Sequence, residues 1–370
     1  MPDWTSQTDQ LRLIRTEGVG PATYRRLLDR YRTPAAALDA LPRLARAAGR
    51  ITSIPTRADA ERELERTYDH GGWMVFLGDA GYPPLLALLD DAPPCLICHG
   101  DPALARQHCV AAVGGRNASA NGQRMAEALA AELAQTLVVV SGLARGIDTA
   151  AHQGAMRTGR TIAVIAGGID QPYPPENTDL HRRIADTNLL ITEASIGTIP
   201  QARHFPRRNR IIAGLSLGVV VVEAALRSGS LITARFAQEA GREVFAVPGS
   251  PLDPRARGGN DLIRQGAVLV ESAADVLDNL PQAPAKPRAR KSGTCEQEML
   301  PGSGVTPATS EARRQVLELL SPEPTSVDDL VRRCQLSPPA TVAVLLELEL
   351  SGRVETLPGS RVVLLPDAID

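Results

Sequence analysis

The segment Arg203-His204-Phe205-Pro206-Arg207-Arg208-Asn209-Arg210 carries four arginines in eight residues, one aromatic ring and no carboxylate. Guanidinium groups hold phosphate oxygens in pairs, and a phenylalanine ring can stack on an unpaired base. The chemistry on offer is nucleic-acid binding. A solvated basic loop, or one paired with core carboxylates, would share this composition. Its place before an apolar helix (211–217) and among glycine-rich turns favours a site.

Two of those turns add to it. Val113-Gly114-Gly115-Arg116-Asn117 follows an apolar run, so bare backbone amides and the next helix's positive end can meet an anion, with Arg116 beside them. It lacks G-x-G-x-x-G, so no dinucleotide cofactor is expected. Ser141-Gly142-Leu143-Ala144-Arg145-Gly146-Ile147-Asp148 follows a second run; Ser141 and Gly142 could extend the anion nest, with Asp148 capping the helix.

Catalytic alternatives fare worse. Ser141, Asp148 and His152 could be drawn as a triad, but no G-x-S-x-G elbow is present, and His152 sits in an alanine-rich helical context that suits packing. Cys95-Leu-Ile-Cys98-His99 has the spacing of haem attachment, yet it reads as a strand. Cysteines three apart on a strand face opposite ways. No catalytic residue, metal or cofactor is expected.

The elements that must position these residues follow from hydrophobic runs at 110–113, 137–140, 161–165, 189–191, 219–222 and 244–247, with helical patterns between several of them. Continuous apolar strands alternating with helices predict a parallel sheet covered on both faces, with its ligand crevice at the strands' carboxyl ends. Residues 1–85 read as a small helical domain, in which Gly18-Val19-Gly20-Pro21 between two short helices fits a helix-hairpin-helix or a plain packing module. Residues 86–280 form the sheet domain. Residues 281–310, with Lys286, Arg288, Arg290 and Lys291, form a flexible basic linker. Residues 311–370 give three helices and a hairpin, a winged helix.

Composition sets the frame. The 370 residues carry 43% hydrophobic but only 3% aromatic side chains, so the core must rest on Ala, Val, Leu and Ile. The net charge of −2 makes any polyanion signal a local one. Five scattered cysteines argue against a disulfide framework, and no apolar run reaches membrane-spanning length. The expectation is a cytoplasmic protein that does not enter membranes.

Taken in order, Val113-Gly114-Gly115-Arg116, SGLARGIDTAAH (141–152), FPRRNRIIAGLS (205–216), VVEA (221–224) followed by SGSLITAR (228–235), and REVFAVPGS (242–250) closely resemble the DNA-processing protein A (DprA, or Smf) family. The resemblance runs from about 110 to 270, and the flanks share the family's layout. It implies an α/β, Rossmann-like domain between a helical (helix-hairpin-helix or SAM-like) domain and a winged helix. It further implies a homodimer that binds single-stranded DNA, protects incoming strands and helps load the RecA recombinase in the natural transformation of competent cells. Carried over by motif, Arg116, Phe205, Arg208, Asn209 and Arg210 contact the strand. Gly142 belongs to the same pocket floor; Gly114, Gly115 and Ser141 are expected beside it as phosphate-binding residues of the anion nest, and Arg207, at a variable position, supports them. Gly115 departs from the family's Ser or Thr, removing one hydroxyl.

Two rivals stay open. Nucleotide phosphoribohydrolases with a P-G-G-x-G-T-x-x-E block resemble this domain, but Ser228–Ala234 has no glutamate at that spacing, and Glu223 suits a loop-fixing role. A winged-helix transcription regulator is the other. Residues 311–370 hold ten carboxylates against six arginines, and 339–350 carry Glu347 and Glu349 with no Arg, Lys, Asn or Gln for base edges. That domain is expected to contact protein, or its own chain, rather than DNA.

Overall fold

The computed structural model describes residues 5–47, 53–281, 310–320, 323–334, 336–350, 353–357 and 361–365. Two compact units divide the chain: residues 1–61 with 285–370, and residues 62–284. The proposed linker cations Lys286, Arg288, Arg290 and Lys291 lie outside the described residues.

The terminal unit begins with helices α1 (Thr5–Arg15), α2 (Pro21–Tyr31) and α3 (Pro34–Ala47). Leu13, Tyr24, Leu27 and Leu41 form their core. α4 (Arg57–Asp69) then leads into the second unit.

In that unit the strands are β1 (Trp73–Phe76), β2 (Cys95–Gly100), β3 (Cys109–Val113), β4 (Val138–Ser141), β5 (Arg160–Val164), β6 (Leu189–Thr192), β7 (Gly218–Val221), β8 (Glu243–Ala246) and β9 (Val268–Leu269). Helices α5 (Ala120–Leu133), α6 (Ile147–Thr158), α7 (Thr178–Thr187), α8 (His204–Leu215), α9 (Ser230–Glu239), α10 (Arg257–Arg264) and α11 (Ala273–Asn279) alternate with them. The sheet order is β1-β2-β6-β5-β4-β3-β7-β8-β9. β6 to β9 pair in parallel, while β1 and β2 add an antiparallel edge.

Apolar runs become strands here because both faces are covered. Val139 and Val140 point to opposite faces, both fully buried, each worth roughly 1.5–3 kcal/mol of burial. Scarce aromatics are offset by alanine: Ala126, Ala130, Ala150, Ala151 and Ala155 let α5 and α6 lie close over one face.

The sheet starts earlier than the expected boundary at residue 86. The run Trp73–Phe76, inside the stretch read as wholly helical, pairs with β2 from Trp73↔Cys98 to Phe76↔Cys95. Four apolar residues without alternation carry no period of either kind, so only the partner strand reveals them.

The winged helix consists of α12 (Ser310–Leu319), β10 (Thr325–Ser326), α13 (Val327–Cys334), α14 (Pro338–Leu350), β11 (Val354–Leu357) and β12 (Arg361–Leu364), in sheet order β10-β12-β11. α14 is apolar around most of its circumference, which requires burial on more than one side. Val344, Leu345 and Leu348 fill the winged-helix core, while Leu346 enters the core of α1–α3. Glu347 pairs with Arg313 at 2.7 Å, and Glu349 pairs with Arg26 of α2 at 3.0 Å. The acidic helix thus contacts its own chain.

Candidate functional site

The strand order reverses between β3 and β7, and adjacent loops that leave a sheet in opposite directions open a crevice. A cleft of about 780 Å³ lies there, bordered by the turn after β3, the α6 turn, the first turns of α8 and α9, and the loop after β7. The amino-terminal ends of α6, α8 and α9 all border it, so its wall carries partial positive charge.

The β3 turn supplies one exposed cation. Gly114 and Gly115 border the cleft, but the Gly115 amide donates to the Glu223 carbonyl at 2.5 Å and is not offered to a ligand. Arg116 lies beyond it, exposed, with its guanidinium carbon 4.9 Å from the centre of the Phe205 ring. The Tyr173 ring stands 5.8 Å from Phe205 at 53°. One cation and two half-open rings therefore form a single surface. Glu223 accepts from the Ser119 amide at 2.8 Å and hydroxyl at 2.5 Å, while Ser119 caps α5. The carboxylate that a hydrolase would need fixes the loop that carries Arg116.

The arginine cluster is not a loop. α8 starts at His204, with Pro206 in its first turn, where a missing amide costs nothing. Helical geometry then scatters the four arginines, because residues two apart point to nearly opposite sides. Phe205, Arg208 and Asn209, at spacings of three and four, face the cleft. Arg207 is exposed but outside the cleft lining. Arg210 faces away, ion-paired with Glu193 and donating to the Asp91 carbonyl.

Arg208 faces the cleft but is 6% exposed. Its Nη1 donates to the carbonyls of Gly142 and, at 2.8 Å, Val164; its Nε donates to Asn209 at 3.1 Å. Asn209 in turn donates to the Gly229 carbonyl at 3.2 Å. Burial pushes the guanidinium down to about 10, opposed by the Asp148 carboxylate, so it stays charged at neutral pH. Burial pushes Asp148 up, with Arg208 as its main counterweight. Gly142 is where the guanidinium lies against the backbone: any Cβ there would collide with it. Arg208 ties the ends of β4 and β5 together beneath the cleft.

The remaining expected residues divide the same way. Ser141 is fully buried and donates to the Ala112 carbonyl at 2.6 Å, below the anion nest that it was expected to extend. A hydroxyl on the last residue of a central strand turns to the neighbouring strand rather than outward. His152 lies beside Thr161 at 2.7 Å, and burial, then the charge of Arg208, pushes it down to about 3. It is a neutral packing residue. Tyr173, Arg227 and Arg255 border the cleft without having been singled out from sequence. Nothing in a Pro-Tyr-Pro loop or in isolated arginines marks them, since each comes from a different connection.

A Rossmann-like sheet with a cationic, ring-bearing cleft at its switch point, in one chain with a helix-hairpin-helix module and a winged helix, defines a three-module class. Residues 73–281 match the family described as DNA recombination-mediator protein A, 5–65 the DprA-like N-terminal HHH domain, and 303–360 the DprA winged helix domain. Protein Smf of Escherichia coli K12 is 38% identical over 294 residues, 76% of this chain and 74% of that one. DNA processing protein DprA of Streptococcus pneumoniae is 48% identical over 200 residues, 54% of this chain and 71% of that one. The X-ray structure of DNA processing protein A from Streptococcus pneumoniae is similar with a TM-score of 0.64 at 34% identity, covering 76% of this chain and 99% of that one. DNA processing protein A from Helicobacter pylori, whose structure concerns its single-stranded DNA binding mode, gives 0.51 at 30%, covering 56% and 95%. This chain belongs to the DprA/Smf family.

Proposed function

We propose that this protein binds single-stranded DNA in the cleft between β3 and β7 and serves recombination by protecting incoming strands and helping to load RecA in natural transformation. It acts in the cytoplasm as a homodimer joined through the sheet domain. The observation that carries this reading is Arg116 standing exposed over Phe205, with Tyr173 beside them. A guanidinium holds a phosphate, the rings stack a base, and neither reads sequence. The relative from Helicobacter pylori with its single-stranded DNA binding mode supports the ligand. Arg207 lends a peripheral charge, the Gly114-Gly115 turn presents Arg116, and Gly142, Arg208 and Asn209 hold the floor. Arg210 and Ser141 act through the fold alone.

Fluorescence anisotropy with labelled oligothymidylate tests the site. Arg116→Ala and Phe205→Ala each weaken binding roughly 10- to 100-fold at low salt, since losing one stacked base costs about 1–3 kcal/mol. Unchanged affinity in both variants would overturn the assignment. Bivalent attachment through a dimer predicts a further gain in affinity once the strand is long enough to span two clefts.

A further inference from the structure

The strand-binding surface leaves the opposite end of the cleft unused, where Arg227-Ser228-Gly229-Ser230 leads into α9. Gly229 has φ −61° and ψ −20°, right-handed backbone that any residue adopts. A Cβ built there meets nothing within 4 Å. Neither conformation nor packing asks for glycine, so the missing side chain keeps backbone bare towards the cleft.

Thr233, one turn further along α9, borders the same space and is 1% exposed. A helical threonine ordinarily turns its hydroxyl back to the carbonyl four residues earlier. Here that carbonyl, Gly229, accepts from Asn209, and the Thr233 hydroxyl has no hydrogen-bond partner among the described residues. That leaves the hydroxyl free to donate to a ligand oxygen at the cleft wall. The Ser228 and Ser230 hydroxyls lie 2.7 Å apart, and the amides of Ser230, Leu231 and Ile232 make only long turn contacts of 3.2–3.4 Å. Exposed Arg227 stands beside them, while Arg255, which also borders the cleft, has its guanidinium paired with Asp253 at 2.8 Å. Glu223, the nearby carboxylate, directs both oxygens to Ser119.

We propose that the α9 end of the cleft is a phosphate-monoester site. A monoester brings three terminal oxygens and nearly two charges. Three hydroxyls, the first-turn amides and the Arg227 guanidinium outnumber what the two free oxygens of a diester can use. Such a group comes from the 5′ end of a DNA strand or from a free nucleoside monophosphate. The strand source rests on the reading above, whereas the nucleotide source does not.

Anisotropy of 3′-labelled oligothymidylate with a 5′-phosphate or a 5′-hydroxyl, alongside calorimetry with thymidine monophosphate and thymidine, separates the sources. The expected result is about tenfold tighter binding of the phosphorylated strand, or binding of the nucleotide where thymidine does not bind. Thr233→Val reduces that discrimination and Gly229→Leu removes it, while both keep the wild-type urea midpoint and 5′-hydroxyl-strand affinity. Nucleotide binding with neither strand bound would sink the strand reading and leave the phosphate site standing. Equal affinity for both strands with no nucleotide bound, or discrimination that survives Gly229→Leu, would overturn the site alone.

Discussion

The turn after β3 and the first two turns of α8 both present arginines near one cleft, yet the two regions use them oppositely. Arg116 sits on irregular backbone past a glycine pair, exposed and stacked on a ring. Arg208 and Arg210 sit on a helix, are under a tenth exposed, and are tied to carbonyls and carboxylates of the same sheet domain. An arginine count cannot tell a ligand site from a scaffold. A guanidinium with its donors already engaged holds the protein, and one with them free holds something else.

The largest effect is expected from Arg208→Ala. It leaves Asp148 buried without its counter-charge and two strand-end carbonyls without a donor, and costs about 3–5 kcal/mol in urea unfolding. Arg208→Lys recovers only part, because a single ammonium cannot copy the fork. A loss below about 1 kcal/mol would mean that Arg208 is not a tie.

Acid acts on the same layer. The unfolded His152 has a pKa near 6.5, while the folded one is pushed down to about 3. The unfolded chain therefore binds the extra proton first, and stability falls as pH drops from about 6.5 towards 3. Burial also pushes His181 down, to about 4, with the same sign. His152→Gln should give a shallower fall in urea midpoint between pH 7 and pH 5; an unchanged slope would remove His152 from the account.

Arg210→Met, which strands a carboxylate that keeps some contact with solvent, should cost about 1–3 kcal/mol and leave DNA affinity alone. Smallest of all, Arg116→Ala should shift stability by under about 0.5 kcal/mol, as an exposed substitution does.

Much of the sheet was legible: six apolar runs sit within a residue or two of β3 to β8, because strands buried on both faces must be continuously apolar. The residues of the site were partly legible. Arg116 and Phe205 announce themselves by a glycine turn and a lone ring among cations. That FPRRNR is helical was signalled only by Pro206, and without the helix the opposite destinations of Arg208 and Arg210 were hidden. Tyr173 and Thr233 were not legible at all, since each gains meaning from neighbours far away in sequence.

On the proposed function, Arg116 meets the strand and the buried α8 arginines, Arg208 and Arg210, do not. The most direct measurement is the salt dependence of oligothymidylate affinity for wild type, Arg116→Ala and Arg210→Met. Arg116→Ala should bind more weakly, with a log–log salt slope shallower by about 0.7, the share of one phosphate contact on a single strand. Arg210→Met should overlay the wild type. A wild-type slope in Arg116→Ala, with the loss appearing in Arg210→Met, would contradict the proposed role of Arg116.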